Sequence, residues 1–410
     1  MNIKSRVTSK NLLLIFILYI LSIPIIQASL CTSQAIIGWL LVFSLSFYII
    51  SKSKKITFTF AEVLFLALFF SLNVYYLFIN SAGAVYQKYT YIFLLTLLLS
   101  KVIQKISGRT LIRAFSSVYI VVMVLLVLEY IYVAIFGTKI FIDYLACFEP
   151  GVVGYKVMSD YSLFSSFISS AGMNSILLGS QTASQLSLIS LIWFYCFRKS
   201  TSYPVFYKIL MFIAISFLIL SPTITVTFLL LVVLLGFSIM KIRHSLIRIE
   251  QIYIALIIIA VLSFGFGAMV NERYAGLDYI MSELILPQIF NLSFLSYREI
   301  LLGVKLDKIA NIIPVNEVAI IHHFVVYGVI GVLSAIAFIV YNLSKSFDSM
   351  KNLDTDEKSL YIASVVIVLV FLLSTVHYQV MFQVGLVEIF CLHLAYIISV
   401  ATRKHEAPSG

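Results

Sequence analysis

The sequence predicts an all-α polytopic membrane protein: about 12 transmembrane helices, both termini cytoplasmic, and two longer outer loops in one membrane-embedded domain, residues 1–410. Three observations carry this prediction. Hydrophobic residues make up 61% of the chain against 11% charged, with mean hydropathy +1.06, so the solvent of this chain is mostly lipid and a soluble domain is excluded. Apolar stretches long enough to cross a bilayer recur from end to end. Between them, Lys and Arg alternate in abundance from one loop to the next.

A helix needs about 20 apolar residues to cross roughly 30 Å of hydrocarbon. On that measure the spans fall at 11–28, 35–50, 60–79, 90–104, 115–136, 173–196, 207–221, 223–240, 252–270, 318–341, 360–377 and 381–401. The second, fourth and seventh are short, and only the Ser221-Pro222-Thr223 break separates the seventh from the eighth. Charge then sets the count and the orientation. With twelve spans, 21 of the 28 Lys and Arg residues fall on the side of the N-terminus and 7 on the other, which places both termini in the cytoplasm. Removing any one span would put several basic loops on the wrong face. Topology thus accounts for the net charge of +10, and no nucleic-acid partner is implied. The first apolar segment follows a basic N-terminus without a small-residue cleavage pattern and reads as the first span.

Cys31, Cys147, Cys196 and Cys391 have neither metal spacing nor a paired motif and read as small apolar fillers. Cys31 and Cys147 fall on the outer side, where an oxidising compartment would allow a bridge that nothing in the sequence requires. Most connections are short. The exceptions are the outer loops at 137–172 and 271–317, in which the apolar stretches 279–286 and 289–295 suggest interfacial helices that could roof an outward-facing cavity.

The second long loop holds the densest ionisable set outside the cytoplasmic face: Glu272, Arg273, Asp278, Glu283, Arg298, Glu299, Lys305, Asp307, Lys308 and Glu317. It runs directly into a tenth span that opens with His322 and His323. Any one of these residues could simply sit in a solvated ion pair contributing about 0 to 1 kcal/mol. As a set beside apolar spans, the cations call for a phosphate, a carboxylate or water to face.

Here the residues carry a resemblance. The segment NLSFLSYREILLG, a short charged stretch, and then NEVAIIHHFVVYGVIGVLSAIAFIVYNL resemble the last outer loop and following span of the O-antigen polymerase and O-antigen ligase superfamily. The matching features are Arg298 shortly before Gly303, Asn316-Glu317 followed by His322-His323, and the small-residue turn from Tyr327-Gly328 to Gly331. SSAGMNSILLGSQTASQLSLISL resembles the family's small and polar sixth span, and LSPTITVTFLLLVVLLGF its polar hairpin, although Pro222 stands where relatives often carry a basic residue.

The resemblance implies a glycosyltransferase of the bacterial inner membrane with its active site facing the periplasm. The expected reaction polymerises undecaprenyl-pyrophosphate-linked repeat units into O-antigen or a related surface polysaccharide, without a cofactor or metal. Donor and acceptor glycans, membrane lipids, a chain-length regulator and a flippase are the partners it implies. Ligation of glycan to lipid A core remains the alternative within the family. Cleaving a sugar to pyrophosphate bond develops negative charge that guanidinium or ammonium groups stabilise, which directs attention to Arg298 and Arg273, then Lys305. The attacking hydroxyl must lose a proton, for which Glu317, His322 and His323 are candidates, with His323 slightly favoured. Adjacent helical residues point about 100° apart, so only one histidine squarely faces a given site.

Glu129, Glu388 and His377 could line the cavity. The two glutamates lie within apolar spans, where an unpaired charge costs on the order of 2.5 to 3.5 kcal/mol, so they should face protein or water. A helix-bridging carboxylate is an equal alternative for both, and His377 at a span end reads more simply as an interfacial hydrogen-bonder. Glu62 at the mouth of the third span favours the helix dipole. Gln181 with Gln185, and Gln379 with Gln383, read as helix-packing amides, and Tyr144, Tyr155, Tyr161, Tyr274, Tyr279 and Tyr297 as an aromatic belt.

A transporter, such as a lipid-linked oligosaccharide flippase or a sugar permease, is the rival from another class. Against it, the two halves do not match, since the long outer loops follow spans five and nine, and the loop after span two reads only SKSKK.

Overall fold

A computed structural model describes residues 34–52, 58–79, 87–136, 179–198, 203–220, 233, 286–305, 308, 309, 312, 319–375 and 386–403. The described residues are helical and contain no strand. The expected spans 11–28 and 252–270, and 223–240 apart from Val233, lie outside them. The others each correspond to a helix: α1 Gln34–Lys52, α2 Phe60–Ile79, α3 Gln87–Ile103, α4 Gly108–Phe136, α5 Gly179–Phe197, α6 Pro204–Leu220, α9 Ala319–Ser349, α10 Thr355–Ser374 and α11 Leu386–Arg403. Two short helices, α7 Leu286–Leu292 and α8 Tyr297–Leu302, precede α9. Four stretches among the described residues, Phe60–Ile79, Gly108–Leu128, Ile320–Asn352 and Thr355–Ser374, are long and apolar enough to cross a membrane, and the protein is a helical membrane protein.

Where helix ends depart from the hydropathy reading, local hydrogen bonds explain the shift. Helix α10 starts at Thr355, five residues before the apolar run at 360, because the Asp354 carboxylate accepts the Glu357 amide at 2.7 Å and caps a polar first turn. Helix α9 runs past 341 to Ser349, where the Ser346 hydroxyl meets Tyr361 of α10 at 2.8 Å and ties the two helices across a short 3₁₀ turn. Helix α2 begins where hydropathy places it, since Thr59 and Glu62 form a reciprocal cap: the Thr59 amide donates to Glu62 Oε2 at 2.7 Å and the Glu62 amide donates to Thr59 Oγ1 at 3.3 Å.

Helix α11 is buried on every face from Leu386 to Ala401, packed among α3, α9 and α10. Its polar residues therefore need protein partners. His393 shares hydrogen bonds with Tyr119 of α4 at 2.6 Å and Ser364 of α10 at 3.0 Å, and its ring lies against Phe115 and Trp193. Trp193 of α5 in turn donates its indole N–H to Ser116 of α4 at 3.0 Å. Helices α1, α2 and α6 expose Phe43, Phe47, Phe70, Phe78 and Phe212, as lipid-facing surfaces do.

The contacts define two ends. At one, the Lys101 ammonium donates to both Glu62 oxygens at 3.1 and 3.2 Å, Arg109 meets Asp356 at 3.3 Å, and Gln104 donates to Thr402. At the other lie the last turn of α2, the first turn of α3, helices α7 and α8, and the beginning of α9. Among the described residues, the start of α2, the turn between α3 and α4, the start of α10 and the end of α11 thus meet at one end of the bundle.

Candidate functional site

The second end is organised by two glycines. Gly328 interrupts α9 with φ +64° and ψ 171°, dividing it into 319–327 and 329–349. Gly303, just after α8, has φ +92° and ψ 166°. Both lie in a backbone region that side-chain-bearing residues essentially never enter. The two also touch: a Cβ on Gly328 would fall 2.3 Å from the Leu301 carbonyl oxygen and 2.6 Å from the Gly303 nitrogen, and one on Gly303 would fall 2.2 Å from the Val326 carbonyl oxygen. Glycine is required on both counts.

Breaking a helix beside lipid leaves backbone groups without partners. The next chain segment supplies one: the Val304 amide donates to the Val325 carbonyl at 2.9 Å, an oxygen that an unbroken helix would give to residue 329. Val304 is itself fully buried, in a small apolar core with Leu72 and Tyr76 of α2 and Val325, Val326, Tyr327 and Val332 of α9. This core holds α8 against the broken helix.

Helix α8 presents Arg298. Its N-terminus is a capping box in which the Glu299 amide donates to Ser296 Oγ at 3.3 Å while the Ser296 amide and hydroxyl donate to Glu299 Oε2 at 3.0 and 2.8 Å. The Ser296 amide above all, then Lys308 at 2.9 Å and the Ser296 hydroxyl, hold the Glu299 carboxyl down at about 2. Glu299 is thus engaged by its cap and by Lys308. Arg298 points elsewhere: its Nε donates to the Tyr75 hydroxyl of α2 at 3.0 Å, with the guanidinium carbon 5.3 Å from the Tyr75 ring centre. The residue is exposed, and no carboxylate among the described residues lies within ion-pair distance of it. A planar guanidinium held through Nε keeps its other edge available for two parallel hydrogen bonds to an oxyanion.

On the first segment of α9, His322 and His323 diverge as helical neighbours must, with ring planes 82° apart. His322 is half-buried, whereas His323 is buried and stacks on Tyr327 one turn later, with centroids 5.8 Å apart and planes at 17°. Tyr89 from the first turn of α3 closes the cluster. Its ring meets Tyr327 edge-on at 4.1 Å, and its hydroxyl oxygen lies 3.4 Å from His323 Nδ1.

Of the other expected site residues, Lys305 is exposed just after Gly303, on the stretch joining α8 to α9. Glu388 is fully buried in α11 and accepts the Tyr91 hydroxyl at 3.1 Å, bridging α11 to α3. Glu129 falls in α4. Gln185 is buried in α5 beside Ser184 and Ser187. Arg273, Glu317 and His377, with Asp307, Gln379, Gln383, Cys31 and Cys147, lie outside the described residues. The structure adds Tyr75, within a span, and Tyr89, one residue before the span expected at 90–104, where a tyrosine reads from sequence as packing or belt, and it gives Tyr327 its ring contacts. For Tyr75 the local hint is that Tyr75 and Tyr76 sit one turn before the end of an otherwise apolar span.

Neither a family model, nor a curated protein, nor a solved structure matches this chain.

Proposed function

We propose that this protein is a glycosyltransferase of the bacterial inner membrane, with twelve spans and both termini cytoplasmic, that polymerises undecaprenyl-pyrophosphate-linked repeat units at the periplasmic face. The observation that carries this reading is the exposed Arg298 guanidinium, held by Tyr75 on the same junction that positions His322 and His323. Its other supports are the sequence resemblance in these two segments and the uneven distribution of Lys and Arg between loops.

In this mechanism an acceptor hydroxyl attacks the anomeric carbon of the donor as the bond to pyrophosphate breaks. The pyrophosphate leaves with the bonding electrons on its lipid carrier, and Arg298, with Arg273 and Lys305, stabilises the added charge. Glu317, His322 or His323 takes the hydroxyl proton. Chain growth therefore needs cationic groups and a proton acceptor, both at one end of the bundle.

The lipopolysaccharide ladder of a strain lacking the gene tests this. Loss of polymerase leaves core bearing a single repeat unit. Bare core with long chains retained on the lipid carrier would instead indicate a ligase. Polymer of unchanged length on the cell surface would refute both enzyme readings.

A further inference from the structure

Helices α7 and α8 join an inward apolar side to an exposed one. Leu292, Leu295 and Leu302 pack inward against the small core around Val304 and Tyr76. By contrast Leu286, Phe290, Phe294, Tyr297, Ile300 and Leu301 are exposed, Phe294 at 72% and Tyr297 at 89%. The rings of Phe290 and Phe294 meet edge-on with centres 5.0 Å apart, which carries the strip from α7 towards α8. Between 286 and 302 the ionisable residues are Arg298 and Glu299, and Glu299 is taken up by its cap and by Lys308. A surface that faces water rarely gathers large apolar side chains in one place, so this strip has a partner.

Depth identifies that partner. Helix α2 has 20 residues and, at 1.5 Å per residue, is about 30 Å long, the thickness of hydrocarbon that a span crosses. Tyr75, which holds Arg298, lies four residues before the end of α2, about 6 Å inside that boundary. On the same last turn Leu77 and Phe78 are exposed, Phe78 at 87%, as lipid-facing side chains are. Arg298 thus fastens α8 to α2 near the level where lipid chains give way to headgroups. Aromatic side chains favour that level, and an arginine there extends its guanidinium to lipid phosphate. We propose that α7 and α8 lie in the bilayer leaflet at this end of the protein, with Phe290, Phe294 and Tyr297 among the lipid chains, and that Arg298 meets a lipid-borne phosphate sideways from within that leaflet. The phosphate supplies the charge complementary to a guanidinium that no described carboxylate pairs. The second half of the proposal rests on the glycosyl-transfer reading and deepens it: the carrier's diphosphate reaches its cation by diffusing in the membrane, with the polyprenyl chain lying along the aromatic strip.

The test uses the full chain with p-benzoylphenylalanine placed singly at Phe290, Phe294 or Tyr297, in nanodiscs of phosphatidylethanolamine and phosphatidylglycerol doped with undecaprenyl diphosphate. Phe78 carries the same group as the lipid-facing reference. After irradiation, mass spectrometry of the intact protein should show phospholipid adducts at all three positions, as at Phe78. Adducts at Phe78 alone, or cross-links from the strip to another part of the chain, overturn the seating in lipid. At Tyr297 the carrier should be captured above its share of the lipid, and Arg298→Gln should abolish that excess while phospholipid adducts persist. Capture of the carrier in proportion to its share, or an excess that survives Arg298→Gln, overturns the sideways approach. Phospholipid capture does not depend on activity. An unchanged polymer ladder in the strain lacking the gene would therefore remove the glycosyl-transfer reading and leave the seating of α7 and α8 to be judged by its own adducts.

Discussion

At one end of the bundle Lys101 and Glu62 meet at 3.1 Å with only 13% and 5% of their side chains exposed, whereas at the other Arg298 rests on the Tyr75 hydroxyl and stays exposed. The first arrangement neutralises charge and locks α2 to α3, with Thr59 completing the carboxylate's hydrogen bonds. The second fixes a cation in place with a neutral partner and so leaves its charge available. The same contrast holds for the backbone. Helices α10 and α2, capped at the basic end by Asp354 and Glu62, run unbroken, whereas at the other end, where α8 has a capping box of its own, α9 is broken at Gly328 and its freed carbonyl is satisfied by Val304. One end is built to hold helices together. The other spends local regularity on presenting side chains.

The largest effect expected from breaking this contrast comes from the closed end. Lys101→Met would leave the Glu62 carboxylate buried without its counter-ion, costing about 3 to 5 kcal/mol, and thermal unfolding in detergent should show the loss. Glu62→Gln with Lys101→Met together should recover most of it, because the uncompensated charge is gone. Arg298→Ala should do the reverse. Protein level and melting temperature should stay normal while chain extension falls by about 10² to 10³, the usual cost of removing one group that stabilises developing charge. Long polymer made at the normal rate would remove Arg298 from the site.

Gly328→Ala tests the junction between these extremes. Its backbone conformation alone costs a side-chain-bearing residue on the order of 1 to 3 kcal/mol, and the overlap with Leu301 adds to that. Stability and chain extension should therefore fall together. A variant that loses neither would mean that the break in α9 is not needed.

The smallest effect concerns pH. Because the folded Glu299 carboxyl sits at about 2, below the usual 4.5, its contribution to α8 is fully present above the unfolded value and is lost as pH falls toward about 2. Amide exchange in α8 should accordingly show no change in protection between pH 7 and pH 5.5. Below about 4.5 the protection should weaken, and in Glu299→Gln that pH dependence should vanish.

Much of the helical framework was legible because a helix beside lipid must be apolar for its whole length. That is why 60–79 coincides with α2 and why 318–341 finds the start of α9 within one residue. Ends were less legible wherever a polar cap extends the helix beyond its apolar run, as Asp354 does for α10. At the site, the glycines at 303 and 328 and the pair His322-His323 stood out as residue types, but their meeting depended on a fold that brings a loop onto a helix break. Tyr75 and Tyr89 gave little sign of a role. They lie in or next to spans already rich in aromatic residues, and only contact with Arg298 and His323 distinguishes them from lipid-facing or packing tyrosines.

By itself the sequence determined that this chain lives in lipid as a set of helices, because hydropathy is a sum over neighbours along the chain and needs no knowledge of the fold. It also singled out the segment around Arg298 and His323, because ionisable groups are conspicuous against an apolar background. Only the tertiary structure decided which partners these groups take: Arg298 on Tyr75, Glu299 with Lys308, His323 beside Tyr89, and Glu388 on Tyr91 in the buried helix. Such pairings join residues up to 297 positions apart, set by helix packing and backbone breaks that no local pattern encodes.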